Sequence, residues 1–268
     1  RPSLAEAGSP PRFARRGLPP LRAVLVGFAA AGLIVALLLG ATGCTVTGFD
    51  TAYNKGVIAY REGNLPEAAE QFEQATANQS DFHEAWFNLA RVLDDLAQQR
   101  QERARVASDD GRTAEATRLR GLAAESSQRA DEAYQRALEL RPDAGRALVS
   151  YAMFLYDRNE VARTRDLLRR AVEAETTRAY PETALGFFLQ QEGELDQARA
   201  AYERALEREP GALLPRYRLG SWYLSAGQWE DAASQFEAAV QVAPQDAPSW
   251  SGLSEAYRQQ QRWSRAAG

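Results

Sequence analysis

The sequence predicts an all-α solenoid of antiparallel helix pairs, preceded by an N-terminal apolar signal or anchor helix. Two observations carry the solenoid. Trp250, Leu253 and Tyr257 have counterparts 34 residues earlier in Arg216, Leu219 and Tyr223, and the same frame continues toward the N-terminus. Glycines and prolines fall at fixed places in that frame, where a helix must turn or stop. A third observation carries the leader: residues 23–42 form an uncharged apolar run.

The leader comes first. Residues 1–43 hold Arg1, Arg12, Arg15, Arg16 and Arg22 against the single acid Glu6. The run 23–42 reads AVLVGFAAAGLIVALLLGAT, and about 20 apolar residues suffice to cross a bilayer. Its basic flank would stay cytoplasmic. The run is longer than the roughly 7–15 residues of a cleaved signal's apolar core.

The run closes on Ala41-Thr42-Gly43-Cys44, and Cys44 is the one cysteine of the chain. This ending resembles the lipobox of bacterial lipoproteins, with Ala41 where that family usually carries Leu. The resemblance implies removal of residues 1–43 and lipid attachment to the Cys44 thiol, with residues 44–48 as a short tether. The other reading keeps residues 23–42 as an uncleaved anchor. Thr45 follows the cysteine in place of a retention-type Asp. The expected location is therefore the bacterial cell envelope, as an outer-membrane lipoprotein facing the periplasm, or anchored in the inner membrane on the second reading. The chain begins with Arg1 rather than Met, so further residues are expected upstream.

The repeats occupy residues 49–268. One step back from Gly220, Phe236, Ala239 and Pro244 are Gly186, Tyr202, Ala205 and Pro210, joined by Leu185, Leu189 and Ala198. Another step gives Tyr151, Ala152, Leu155, Leu168 and Ala171, with Thr164 at the small position of the second helix. Gly56, Ala68, Phe72 and Ala75 fit the same frame near the start. Small residues are expected where paired helices approach closely, and larger ones such as Tyr202, Phe236 and Leu219 are expected to fill the gap to the next repeat. Pro210 and Pro244 end helices, and Gly63, Gly193 and Gly227 sit in turns.

These residues resemble the tetratricopeptide repeat (TPR) family, whose unit is helix A, turn, helix B. The resemblance implies a right-handed superhelix in which stacking buries each pair's apolar face. Repeats are expected to begin near 49, 83, 145, 179, 213 and 247. The last is expected to stop inside its helix B at Gly268, with more chain beyond it.

The second repeat is longer. Helix A is legible in His83–Ala90 and helix B in Ala130, Tyr134, Ala137 and Pro142. The surplus falls at about 98–125, with Asp109-Asp110-Gly111 as a turn signal. Two extended helices forming a protruding hairpin are predicted. Its apolar residues are sparse (Val106, Leu119, Leu122), so it reads as a solvated elaboration or as a docking arm.

Composition narrows the chemistry. Beyond the leader lie 27 basic and 35 acidic residues, and an acidic body does not suit a nucleic-acid partner. One Cys excludes an internal disulfide. One His, His83, leaves no set for a zinc site or a His-based triad. Lys55 precedes Gly56, but no glycine-rich phosphate loop accompanies it. Glu67, Glu70 and Glu73 read as a solvated helix face, as do Asp94-Asp95 and Asp109-Asp110. No catalytic residue, metal ligand or cofactor is expected, and the chain is predicted not to be an enzyme.

Binding is the better expectation. The TPR resemblance implies a concave groove lined mainly by A helices. The candidates for it are Tyr53, Asn54, Tyr60, Phe87, Asn88, Arg91, Asp94, Met153, Tyr156, Phe187, Tyr217 and Arg218. Aromatic and Arg residues suit interface hot spots, though several of these aromatics could instead pack between repeats. The clamp variant of the family, which holds a chaperone's C-terminal peptide, needs Asn just after the first repeat's Gly; Val57 stands there.

A narrower resemblance exists. Tyr151-Ala152-Met153-Phe154-Leu155-Tyr156, followed by Tyr180-Pro181-Glu182, resembles the TPR pilotin lipoproteins of type IV pilus biogenesis, from which the hairpin insertion departs. It implies a secretin as partner. The alternative is a general envelope adaptor that recruits cell-wall enzymes or another secretion complex.

Overall fold

A computed structural model describes residues 48–267, with side chains described for residues 51–261. The apolar run 23–42, Cys44 and the tether up to Thr47 lie outside the described residues, as does the side chain of Ala266. Eleven α-helices and no strand occur among the described residues. They are α1 (Gly48–Arg61), α2 (Leu65–Asn78), α3 (His83–Asp109), α4 (Thr113–Leu140), α5 (Gly145–Tyr156) and α6 (Val161–Ala174). Then come α7 (Tyr180–Gln191), α8 (Leu195–Arg208), α9 (Leu213–Ser225), α10 (Trp229–Val242) and α11 (Ala247–Ala267). Each odd-numbered helix up to α9 packs on the helix that follows it, and each pair packs on the next.

One turn joins the A helix to the B helix in the first five repeats. The sixth repeat, expected to end inside its helix B, is instead the single helix α11, which runs on past residue 261, where the 34-residue frame places the turn. In the first repeat Gly63 N–H donates to Tyr60 O and Asn64 N–H donates to Ala59 O. The pair recurs at Gly111 and Arg112, Asn159 and Glu160, Gly193 and Glu194, and Gly227 and Gln228. The pattern satisfies carbonyls at the helix end and needs a left-handed residue after it. The glycines have φ of 74–81°, and Asn159 takes the position at 61°.

The second repeat uses this same turn. The 34-residue frame places its turn glycine at residue 97, where Ala97 stands, and the glycine comes 14 residues later at Gly111. Fourteen residues is close to four helical turns, so each helix returns to nearly the same face. Ala104 and Ala107 of α3 therefore meet Ala116 and Leu119 of α4 in a small core near the tip. Arg100 donates to Leu122 O at 3.0 Å and to the hydroxyl of Ser126. Val106 points to solvent.

In the first, fourth and fifth repeats a ring of helix B covers a glycine of helix A. A Cβ on Gly186 would stand 2.6 Å from Tyr202, and one on Gly56 or Gly220 would stand 2.9 Å from Phe72 or Phe236. These rings thus fill a gap inside their own repeat first. Phe236 also reaches the next repeat, where a Cβ on Gly252 would stand 2.5 Å from it. Where Ala152 replaces glycine, the partner is the smaller Leu168, and Thr164 donates to Glu160 O at 3.0 Å.

In the second, fourth and sixth repeats the fourth residue ties repeats together. Trp86 and Trp250 donate their indole N–H to Ser80 O and Pro244 O, at 3.0 and 2.9 Å. The equivalent Glu182 is 1% exposed. Its carboxylate takes a two-pronged bond from Arg204 (3.0 and 3.1 Å) and another from Arg208 at 3.0 Å. Arg208 also donates to Glu175 O at 2.9 Å, at the end of α6. A buried carboxylate needs such pairing.

Candidate functional site

The A helices turn a shared face toward one groove. The fifth residue of each of the first five repeats is Tyr53, Phe87, Val149, Thr183 and Tyr217, and all five line cavities along it. Helical spacing then brings in the sixth and ninth residues, such as Asn88, Arg91, Met153, Phe187 and Arg218.

Two cavities adjoin, sharing Tyr180 and Glu209. The first, about 520 Å3, lies across α5, α7 and α9 and is walled by Val149, Met153, Ala184, Phe187, Leu213, Leu214 and Pro215. Leu214 is 54% exposed there. The second, about 850 Å3, holds Tyr53, Phe87 and Asn88 among charged side chains, including Glu84, Arg91, Arg141, Arg146, Glu175 and Arg178. A third, about 570 Å3, lies between α9 and α11 and is bordered by Tyr217, Leu224 and Phe236.

The twelve expected residues divide. Tyr53, Phe87, Asn88 and Arg91 line the charged cavity, while Met153, Phe187 and Arg218 line the apolar one. Tyr217 borders the third and packs on Phe236, with ring centres 5.9 Å apart. Asn54 is exposed and borders none of these three cavities.

Tyr60, Asp94 and Tyr156 take part in packing between helices. Tyr60 O–H donates to Asp95 at 2.7 Å and accepts from Arg91 at 3.1 Å. Burial raises the Tyr60 pKa, and the bond to Asp95 adds to that. Asp94 is largely buried 3.8 Å from Arg158, and its Oδ1 has no hydrogen-bond partner among the described residues. Burial pushes its carboxyl above the usual carboxylate range, and Arg158 opposes that rise. Tyr156 stands edge-on to Phe187 and Phe188, at 6.1 and 6.0 Å.

Sequence reasoning passed over Val149, Tyr180, Thr183, Ala184, Leu213 and Leu214. A signal existed for most. Val149 and Thr183 share the repeat position of Tyr53 and Tyr217, and Tyr180 and Leu214 share that of Glu84 and Arg146. Selecting for aromatic and Arg residues hid the aliphatic wall. Among the described residues, no group of three or more His, Cys, Asp or Glu is placed to hold a metal ion. No helix there is long and apolar enough to cross a membrane.

A solenoid of helix pairs with an open groove along its A helices defines a class of protein, and the family comparison agrees. One tetratricopeptide repeat profile matches residues 53–115, 122–182 and 217–268, and a second matches residues 189–234. The chain belongs to the tetratricopeptide repeat family and is a protein–protein interaction scaffold.

Solved structures share the fold. PilF of Pseudomonas aeruginosa is 17% identical, with TM-score 0.58 over 82% of this chain and 91% of that one. PilW, described as a widely conserved type IV pilus biogenesis factor, is 18% identical, with TM-score 0.57 over 80% and 91%. TTC0263, a thermophilic TPR protein of Thermus thermophilus, is 20% identical, with TM-score 0.54 over 78% and 98%. A comparison with curated proteins finds no match.

Proposed function

We propose that the chain is a membrane-tethered, non-catalytic scaffold of the bacterial cell envelope that assists type IV pilus assembly by holding a secretin subunit in its groove. The observation that carries the binding surface is the apolar cavity across α5, α7 and α9. Val149, Met153, Phe187 and Leu214 stay partly open to solvent there, beside Arg218. Such an aromatic and Arg cluster in a concave site suits a hot spot. The tether rests on the apolar run 23–42 and the Cys44 thiol that closes it. The pilus reading rests on the segments Tyr151–Tyr156 and Tyr180–Glu182, and PilF and PilW add a likeness of fold alone.

A second reading, a general envelope adaptor recruiting cell-wall enzymes, is favoured by one observation. Tyr151 donates to Asp131 at 2.7 Å, and Glu182 is held by Arg204 and Arg208, so key members of the pilus-like segments serve internal packing.

In-cell crosslinking in the native host, purification from membranes and mass spectrometry separate the two. The pilus reading predicts a secretin subunit that is depleted in Phe87→Ala and Phe187→Ala variants. Cell-wall enzymes without a secretin select the adaptor. A Cys44→Ser variant that still incorporates labelled fatty acid excludes lipid attachment at this residue.

A further inference from the structure

The two adjoining cavities differ in charge. At the charged one the carboxylates of Asp143 and Glu175 form no ion pair and neither do two guanidiniums, whereas at the apolar one, among the described residues, the charge without an ion pair is that of Arg218. Arg91, Arg146 and Arg218 line the two adjoining cavities, and none of them forms an ion pair among the described residues. Their neighbours differ. Arg141 lies 3.6 Å from Glu84, and Arg178 lies 3.5 Å from Glu209. Glu175 accepts from the Thr177 backbone and hydroxyl at 3.0 and 2.7 Å. Glu209, the acid nearest the apolar cavity, also accepts from Ala179 N–H at 3.1 Å.

Rings hold two of these guanidiniums in place, and Arg91 also donates one N–H to the Tyr60 hydroxyl at 3.1 Å. Arg218 lies 4.8 Å from the centre of the Phe187 ring, and Arg91 lies 5.2 and 5.7 Å from those of Tyr60 and Phe87. Stacking fixes a guanidinium by its face and leaves its N–H edge for a planar acceptor, which a carboxylate fits in two-pronged fashion. Arg218 combines this with a position on the rim of the apolar cavity.

We propose that the groove selects an extended peptide segment in which apolar side chains alternate with carboxylates. An apolar side chain enters the wall of Val149, Met153, Phe187 and Leu214, its neighbouring carboxylate meets Arg218, and a further carboxylate meets Arg146 or Arg91. This deepens the scaffold reading and rests on it.

The test is fluorescence anisotropy of the full chain with three short labelled peptides, centred on Leu-Glu-Leu-Glu, Leu-Lys-Leu-Lys or Ser-Glu-Ser-Glu. The first binds at least about tenfold tighter than the others and weakens with salt, since one two-pronged charged contact is worth roughly that much. Arg218→Ala removes about tenfold of this affinity. Arg218→Glu transfers the preference to the Lys peptide, a gain that an unfolded variant could not show. Leu214→Asp weakens both Leu peptides.

If Leu214→Asp weakens binding while the Glu and Lys peptides bind alike, the groove stands and the charge selection falls. If neither Leu214→Asp nor Arg218→Ala changes binding, both readings fall. Failure of all three peptides overturns the proposal, including by a self-associated chain that closes the groove. So does anionic phospholipid vesicle binding that displaces the Glu peptide and is lost in Arg218→Ala, which would assign the site to a lipid.

Discussion

The ring of Tyr202 lies so close over Gly186 that a Cβ on the glycine would stand 2.6 Å from it. The phenol O–H donates to Gln190 at 2.8 Å, so the ring is fixed at its far end as well. Burial raises the Tyr202 pKa to about 12. The contact locks helix A to helix B in the fourth repeat, as Phe236 on Gly220 does in the fifth.

Gly186→Ala therefore destabilises the array by about 1–3 kcal/mol through overpacking, although Ala is the better helix former. Gly121 lies within α4 with nothing inside 4 Å of its would-be Cβ. Gly121→Ala stabilises by about 0.5–1 kcal/mol. Urea unfolding of both variants checks the pair, and shifts of the same sign would contradict it.

Glu182 is the buried end of a latch joining α7 to α8 and, through Arg208, to the end of α6. Removing it takes the carboxylate from two guanidiniums and leaves Arg208 with carbonyl acceptors only. Glu182→Ala costs about 3 kcal/mol, the low end for a broken buried pair, because Arg204 can turn to solvent. Glu182→Gln costs less. Unfolding midpoints measure both, and an unchanged Glu182→Ala would remove the latch from this account.

Asp94 predicts a pH dependence. Its folded pKa is raised, chiefly by burial and secondarily by Asp95 and Asp157, with Arg158 opposing. The folded state therefore holds its proton to higher pH than the unfolded state. Its contribution to stability falls as pH rises from the usual carboxylate range through that raised value, and the cost persists at neutral pH. Asp94→Asn raises the thermal midpoint at neutral pH, and the gain shrinks as pH falls toward the ordinary Asp pKa. A gain that does not change with pH would contradict burial as its cause.

Asn159 holds φ of 61° where other repeats have glycine. Asn tolerates this conformation better than other residues with a side chain. Asn159→Ala costs about 1 kcal/mol, and Asn159→Gly does not destabilise. Equal unfolding midpoints for the two variants would show that the turn is not strained.

The repeat could be read because each position has one strict physical need. Glycine sits under an aromatic ring, glycine or Asn follows helix A, and proline follows helix B. The groove was half legible. Phe187 and Arg218 stand out by residue type, whereas Val149, Leu213 and Leu214 look like core residues in the sequence, and only the packing of α5, α7 and α9 shows that they are open. Tyr60 and Asp94 share the groove's periodicity, but their partners Asp95 and Arg158 draw them into packing between helices. The role of Glu182 was hidden because its two arginines lie 22 and 26 residues away on the next helix.

Photocrosslinking in the native host tests the central claim most directly. A photoreactive side chain is placed at Phe187 or Leu214 in the groove, at Leu195 on a B helix, and at Val106 near the hairpin tip. Leu195 and Val106 are exposed in the free chain. The account predicts one discrete protein adduct from Phe187 and Leu214, lost on adding Arg218→Glu, and none from Leu195. Adducts formed equally well from Leu195, or from Val106 alone, would contradict the A-helix groove as the binding surface.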